Sequence, residues 1–188
     1  MRYIRAFTFL TSFLGFSAWA ASPEAPGVPN FHQVNEHVYR GGQPSDKGFN
    51  SLAQLGIKTV IDLREEHEDN MEARRVAAAG MHYVNIPMNG FVAPSDEKVA
   101  KALTLLESAK DGSVFVHCRR GADRTGTVIA CYRIEHDRWD NEKALKEAKS
   151  YGMAWHELGM KRYVMNFQVP VVQASRTPDL RVVPVVVP

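Results

Sequence analysis

Ser113-Val114-Phe115-Val116-His117 is a short apolar run that passes without a spacer into Cys118-Arg119-Arg120-Gly121-Ala122-Asp123-Arg124-Thr125-Gly126, and from Thr125 onward Val128, Ile129 and Tyr132 recur on one side of a helix. A buried strand, a short glycine-bearing loop and a helix in that order gather successive backbone amides around one point at a helix N-terminus, which makes a cradle for an anion. The positive end of the helix dipole, with Arg124 beside it, favours Cys118 as a thiolate, and a thiolate aimed at a bound phosphate is a nucleophile. Arg124 follows the cysteine by six residues. Its planar guanidinium can hold two phosphate oxygens and meet the charge that grows on them during transfer, which a lysine does less well. Thr125 offers a hydroxyl to the cysteine sulfur as it leaves, and His117 is placed to order the loop by hydrogen bonding rather than to act as a base.

The remainder of the chain must supply a sheet for that strand. Gln33-Val34 and His37 to Arg40 suggest a short hairpin, followed by the turn Gly41-Gly42-Gln43-Pro44 and a helix capped by Ser45 that runs to Leu55 and stops at Gly56. Lys58 to Leu63 reads as a strand, Met71 to Ala79 as a helix closed by Gly80, and His82 to Ile86 as a further strand. Ser95 caps a helix with Asp96 and Glu97 in its first turn and Val99, Ala102, Leu103 and Leu106 on its apolar face. Asp140 and His156 open two more helical stretches that end near Phe167. Strands alternating with helices predict an α/β fold: one compact domain over residues 31–167, with a central, mostly parallel sheet flanked by helices. The proline- and glycine-bearing residues 21–30 read as an extended lead-in rather than a packed element. Residues 168–188, rich in valine and proline, read as an extended tail that could add an edge strand.

Arg2 and Arg5 precede an uncharged apolar run, Ala6 to Ala20, that is too short to span a bilayer and ends in Ala18-Trp19-Ala20. That is the pattern of a secretory signal peptide over residues 1–20, with a mature start near Ala21 and a periplasmic or secreted destination. Removing that segment takes two arginines and no acid from 23 basic and 21 acidic residues, which leaves the two signs equal. The balance predicts no nucleic-acid partner and, after cleavage, no stable membrane insertion. Of the two cysteines, Cys118 reads as a free reactive thiol and Cys131, about two turns into the helix, as a small buried apolar residue out of bridging range.

His117-Cys118-x-x-Gly121-x-x-Arg124-Thr125-Gly126 resembles the signature loop of the protein tyrosine phosphatase superfamily, and its Asp-Arg-Thr-Gly ending resembles the bacterial dual-specificity-like branch. Val38-Tyr39-Arg40-Gly41-Gly42-Gln43-Pro44 and Val60-Ile61-Asp62-Leu63-Arg64 are similar to motifs of the compact atypical dual-specificity phosphatases. The resemblance implies a two-step phosphomonoester hydrolysis through a cysteinyl phosphate, without a metal or other cofactor. Cys118 would be the nucleophile and Arg124 the clamp. His117, Arg119, Arg120, Gly121, Ala122, Thr125 and Gly126 would bind the phosphorylated substrate.

The resemblance also implies an aspartate about thirty residues before the cysteine that protonates the leaving oxygen. Asn89 stands there, and an amide is no proton donor. Asp62, at the end of its strand, and Asp123, inside the loop, are the competing candidates for the acid; Asp96 has an adequate job in the first turn of its helix. Arg119 and Arg120 at the mouth suit a substrate with several phosphates, unless they face solvent or pair with the acidic residues 65–69. The substrate is then a phosphoprotein, an inositol polyphosphate or a phosphoinositide, since cysteine phytases have a similar loop. A catalytically weak phosphate-binding module is the alternative, should the missing acid leave only recognition.

Overall fold

The computed structural model describes residues 23–65 and 70–169. The segment read as a signal peptide, and the tail from residue 170 on, lie outside the described residues. Five strands and six α-helices follow one another as β1 (His32–Gln33), β2 (Val38–Gly42), α1 (Asp46–Gln54), β3 (Ile57–Asp62), α2 (Asn70–Ala78), β4 (His82–Asn85), α3 (Asp96–Glu107), β5 (Ser113–Cys118), α4 (Asp123–Glu135), α5 (Asn141–Ser150) and α6 (Leu158–Asn166). Among the described residues no helix is long and apolar enough to cross a membrane.

The caps behave largely as the sequence suggests. Ser45 accepts from the Gly48 amide at the start of α1, and Asp140 accepts from the Lys143 amide at the start of α5. Gly56 and Gly80, at φ of 79° and 77°, end α1 and α2 in the left-handed region. Two expectations fail locally. Ser95 stands at the N-cap of α3 without a side-chain cap bond. The last helix opens at Leu158 rather than His156, because the chain first turns twice through Ala154 and Glu157.

The sheet runs β1-β2-β5-β3-β4, antiparallel only between β1 and β2 and parallel elsewhere. β5 therefore lies in the middle, with Gly42 of β2 opposite Cys118 and Asp62 of β3 opposite His117. All three strands end together at the edge where α4 begins. On one face Val38, Ile61 and Val116 pack against Val99, Leu103, Val128, Ile129 and Tyr132 from α3 and α4. On the other, Tyr39, Val60 and Phe115 pack against Phe49, Leu52 and Val76 from α1 and α2. α4 is buried nearly all round because α5 and α6 cover its outer side through Ala144, Leu145, Ala148 and Val164.

The lead-in is a correction. Residues 23–30 are packed, not extended: Ala25 and Val28 join the second core, the Ser45 amide donates to the Gly27 carbonyl at 3.0 Å, and the Gly42 amide donates to the Pro29 carbonyl at 2.7 Å. Proline and glycine rule out a helix or ladder here but not burial, and Gly27 at φ 91° supplies the turn that brings the two apolar side chains inward.

Candidate active site

β5 delivers Cys118, 2% exposed, to the floor of the loop formed by residues 119–122, and α4 begins at Asp123, one turn-fraction earlier than the sequence suggests. Gly121 makes the turn possible: its φ is +69°, and a Cβ there would lie 2.3 Å from the carbonyl carbon of Gly41. The loop is held from behind through its carbonyls. Gly121 O accepts from Arg40 Nη2 at 2.6 Å and from Asn30 Nδ2 at 3.0 Å, and Arg119 O accepts from the Gln43 amide at 3.2 Å. Among the described residues, no protein group accepts from the backbone N–H groups of residues 120–125. With the carbonyls turned back and the amides left over at a helix N-terminus, the loop presents donors toward the space above Cys118.

Arg124 is half-buried, its Nη1 donating to the Met88 carbonyl at 3.2 Å, and a Cβ on Gly90 would sit 3.8 Å from its guanidinium carbon. The segment that follows β4 therefore positions the Arg124 side chain. Thr125 Oγ1 is buried with no hydrogen-bond partner, so the expected hydrogen bond to the cysteine sulfur is not made in this structure. Ala122 and Gly126 are buried in the loop and first turn; a Cβ on Gly126 would meet Met153 and Ala148 at 3.3 and 3.4 Å, so this glycine lets α4 approach α5.

The two candidate acids are otherwise engaged. Asp123 Oδ2 accepts from Arg120 Nη2 at 2.6 Å and its Oδ1 accepts from the Ala154 amide at 2.8 Å, tying the loop to the segment before α6. Both Arg119 and Arg120 are exposed, but Arg120 is paired with Asp123 and is therefore not a free rim cation. Asp62 is 2% exposed and accepts from Arg64 through both oxygens, with Tyr83 donating to Oδ2 at 2.9 Å. Burial pushes its carboxyl up, but the Arg64 hydrogen bonds, then the charge of His117, more than offset this and hold it below the usual carboxylate range. A carboxyl held ionised and enclosed is a poor proton donor. Asn89 shapes its own turn, Oδ1 accepting from the Phe91 amide at 2.9 Å and Nδ2 donating to Glu65 Oε1 at 3.1 Å. Asp96 accepts from the Tyr163 hydroxyl at 2.8 Å.

Behind the loop lies a buried charge cluster that the sequence did not disclose as a unit. Glu72, fully buried on α2, accepts from Arg64 Nη2 and from Gln43 Nε2 at 2.8 Å, and its Oε1 lies 2.8 Å from His117 Nε2. That last approach is off the N–H axis, so both atoms lack an aligned hydrogen bond. His117 Nδ1 reaches the Cys118 carbonyl at 3.4 Å and its ring stacks on Phe115 at 5.5 Å. Asp62, Glu72 and His117 place ligand atoms within 4.8 Å of one another, a grouping that can hold a metal ion, but the Arg64 guanidinium already bonds both carboxylates and supplies the positive charge there. Arg40, Gln43 and Arg64 lay inside the quoted motifs; nothing in the sequence marked Glu72.

Two segments flank the loop and carry exposed apolar side chains, Phe91 (85%) on one and Trp155 (83%) and Leu158 on the other. They touch each other, since a Cβ on Gly159 would be 3.2 Å from the Ala93 amide nitrogen. A separate cleft of about 1060 Å³ lies between α3 and α6, lined by Leu103, Tyr163 and Phe167 among others; no loop residue borders it, so it is not the reaction centre.

Residues 23–166 match the family model described as a DSP-PTPase phosphatase fused to NAD+ kinase. The inositol diphosphatase DSP5 of Arabidopsis thaliana is 28% identical over 148 residues, 75% of this chain and 71% of that protein. The dual specificity protein phosphatase TpbA of Pseudomonas aeruginosa is 29% identical over 136 residues, 72% of this chain and 59% of that protein. Among solved structures, TpbA in complex with pTyr aligns with a TM-score of 0.65 at 24% identity, over 81% of this chain and 91% of that one. The catalytic core of the PP-IP phosphatase SIW14 of S. cerevisiae aligns with a TM-score of 0.69 at 22% identity, over 77% and 89%. At these identities the two structures show the fold alone.

Proposed function

From the DSP-PTPase phosphatase family, to which this chain belongs, we propose a specific reaction: hydrolysis of a phosphomonoester in two steps on Cys118. The Cys118 thiolate attacks phosphorus, an S–P bond forms, and the P–O bond to the leaving alcohol or phenol breaks. The leaving oxygen takes a proton from solvent, and the water that attacks in the second step returns one. Water then attacks the cysteinyl phosphate, the S–P bond breaks, and inorganic phosphate leaves with the thiolate restored. Arg124 and the backbone amides of the loop hold the three non-bridging oxygens throughout. The observation that supports this reading is the pairing of a cysteine on the loop floor with an array of N–H groups that no protein acceptor uses.

Asp62 and Asp123 are structural in this reading, because each carboxylate is already bonded at both oxygens. Asp62→Asn and Asp123→Asn should therefore lower kcat by no larger a factor on an alkyl phosphate than on p-nitrophenyl phosphate, whose phenolate leaves without help. A selective loss on the alkyl ester would restore either one as the acid.

For the substrate we retain phosphotyrosine and inositol polyphosphates, in keeping with the relative DSP5, an inositol diphosphatase, and with TpbA, whose structure holds pTyr. Exposed Arg119 supports a second phosphate near the mouth, while Phe91 and Trp155 could line either ring. A panel of phosphotyrosine peptide, a phosphoinositide and inositol hexakisphosphate should show the higher kcat/KM on a multiply phosphorylated compound, and Arg119→Ala should reduce that preference. Equal or faster turnover of the peptide would remove it. Export is the proposal for residues 1–20, supported by Arg2, Arg5 and the apolar run. Expression of the full chain in a Gram-negative host should yield protein in the periplasmic fraction starting near Ala21; an intact N-terminus in the cytosol would exclude it.

A further inference from the structure

We propose that Arg40 is a positioning residue for the nucleophile: a buried guanidinium behind the loop that stabilises the Cys118 thiolate and fixes the loop through the Gly121 carbonyl. The inference rests on Cys118 as the nucleophile.

Arg40 sits on β2, one strand from Cys118, and is 1% exposed, the largest side chain so enclosed. Only Nη2 has a hydrogen-bond partner, the Gly121 carbonyl at 2.6 Å; Nε and Nη1 are buried with none. The guanidinium carbon lies 4.5 Å over the Tyr151 ring. Among the described residues no carboxylate forms an ion pair with it. The nearest acidic influence is Glu147, and both of that residue's oxygens are taken by Arg133, which also holds Asp137.

An enclosed cation with no counter-ion of its own costs several kcal/mol of desolvation, which a π-face and one carbonyl offset only in part. Burial lowers the guanidinium to about 10, so it remains charged at neutral pH. The missing anion has a place in the catalytic cycle. Arg40 is on the strand beside Cys118 and bonded to the loop three residues further on, so a thiolate formed there is an anion that this cation attracts. Apart from exposed Arg119, the other charges around these two groups are paired or turned elsewhere. His32 of β1, beside Tyr151, is lowered first by burial and then by Arg40 itself, so it adds no competing positive charge. Toward Cys118, Arg120 is neutralised by Asp123, and His117 leans on Glu72 with Asp62 beyond it. Arg124 donates to the Met88 carbonyl. Arg40 is thus a buried positive charge on the strand beside Cys118, with no ion-pair partner among the described residues.

The tether and the charge can be separated, because Asn30 donates to the same Gly121 carbonyl without carrying a charge. The measurement is the rate of Cys118 alkylation by iodoacetamide against pH, with no substrate present and with Cys118→Ser as the blank. Arg40→Met and Arg40→Gln should displace the profile to higher pH and slow alkylation about tenfold at pH 6. Arg40→Lys should stay within about threefold of the parent, and Asn30→Ala should leave the profile unchanged. Gln keeps a donor toward Gly121, so if Met failed to fold, the Gln and Lys variants alone would decide. An unmoved profile in Arg40→Gln, or one moved equally by Asn30→Ala, overturns the proposal and leaves Arg40 as a tether. Failure of the phosphatase reading would appear instead as phosphatase turnover that survives in Cys118→Ser.

Discussion

Cys118→Ser should lower turnover of p-nitrophenyl phosphate by at least about 10⁴-fold while leaving phosphate binding intact. The hydroxyl that replaces the thiol is not ionised near neutral pH, and the carboxylates and histidine described around the loop are engaged elsewhere. His117 Nε2 lies 2.8 Å from Glu72 Oε1, and Asp62 and Asp123 are held by arginines. The groups proposed to bind the anion are untouched by the change: the unclaimed amides of residues 120–125 and the Arg124 guanidinium. Binding and chemistry should therefore part company. The dissociation constant for vanadate-free inorganic phosphate should stay within a few fold, and rapid quenching of the parent with a radiolabelled substrate should trap label that Cys118→Ser does not. Residual activity above about one per cent, or label retained in the serine variant, would mean that another residue is the nucleophile.

How much of this could be read in the sequence depends on how far apart the interacting residues lie along the chain. Cys118, Gly121 and Arg124 lie within seven residues of chain, and their placement follows from one strand-to-helix transition, so the loop was legible without a fold. The alternation of strands and helices was legible for the same reason, since Ser45, Gly56, Gly80 and Asp140 mark boundaries locally. Arg40 is 81 residues from the Gly121 carbonyl it supports, and Glu72 meets Gln43 across 29 residues. Such pairings exist only because β2 and β3 flank β5 in the sheet, an order that hydrophobic periodicity does not encode. The packed lead-in was missed on the same account: local composition speaks to φ and hydrogen bonding, whereas the burial of Ala25 and Val28 depends on which surface the turn meets. Asn89 shows the reverse case. The sequence flagged a residue out of keeping with the resemblance, and the structure gives that residue a local task, building the turn at Phe91 and holding Glu65, that an aspartate could fill only in part.

Glu72→Ala should destabilise the fold by about 3–5 kcal/mol, the range for removing one partner of a buried ion pair. For a chain of this size that corresponds to a fall in Tm of about 6–20 °C. The size of the effect comes from what remains. Arg64 would be left with Asp62 alone, the Gln43 amide group would lose its acceptor, and the space beside His117 Nε2 would hold no polar atom of α2. Glu72→Gln should cost less, because the amide oxygen still accepts from Arg64. The contrast is with Asp46→Ala, which removes a pair at 3.0 Å to Arg75 whose aspartate side chain is 82% exposed; solvent screens that pair, and the change should stay within about 0.5 kcal/mol. The same cluster predicts an acid limit. Asp62 is held below the usual carboxylate range in the folded protein, so its contribution is present above the unfolded value near 4 and is lost as pH falls through the lower folded value. Melting curves between pH 7 and pH 3 should show Tm falling toward the acid end in the parent, and falling less in Asp62→Asn, which has already lost the contribution at every pH. A parallel decline in the two proteins would move the acid sensitivity to other carboxylates, and a Glu72→Ala melt indistinguishable from that of Asp46→Ala would show that the cluster contributes no more than a surface pair.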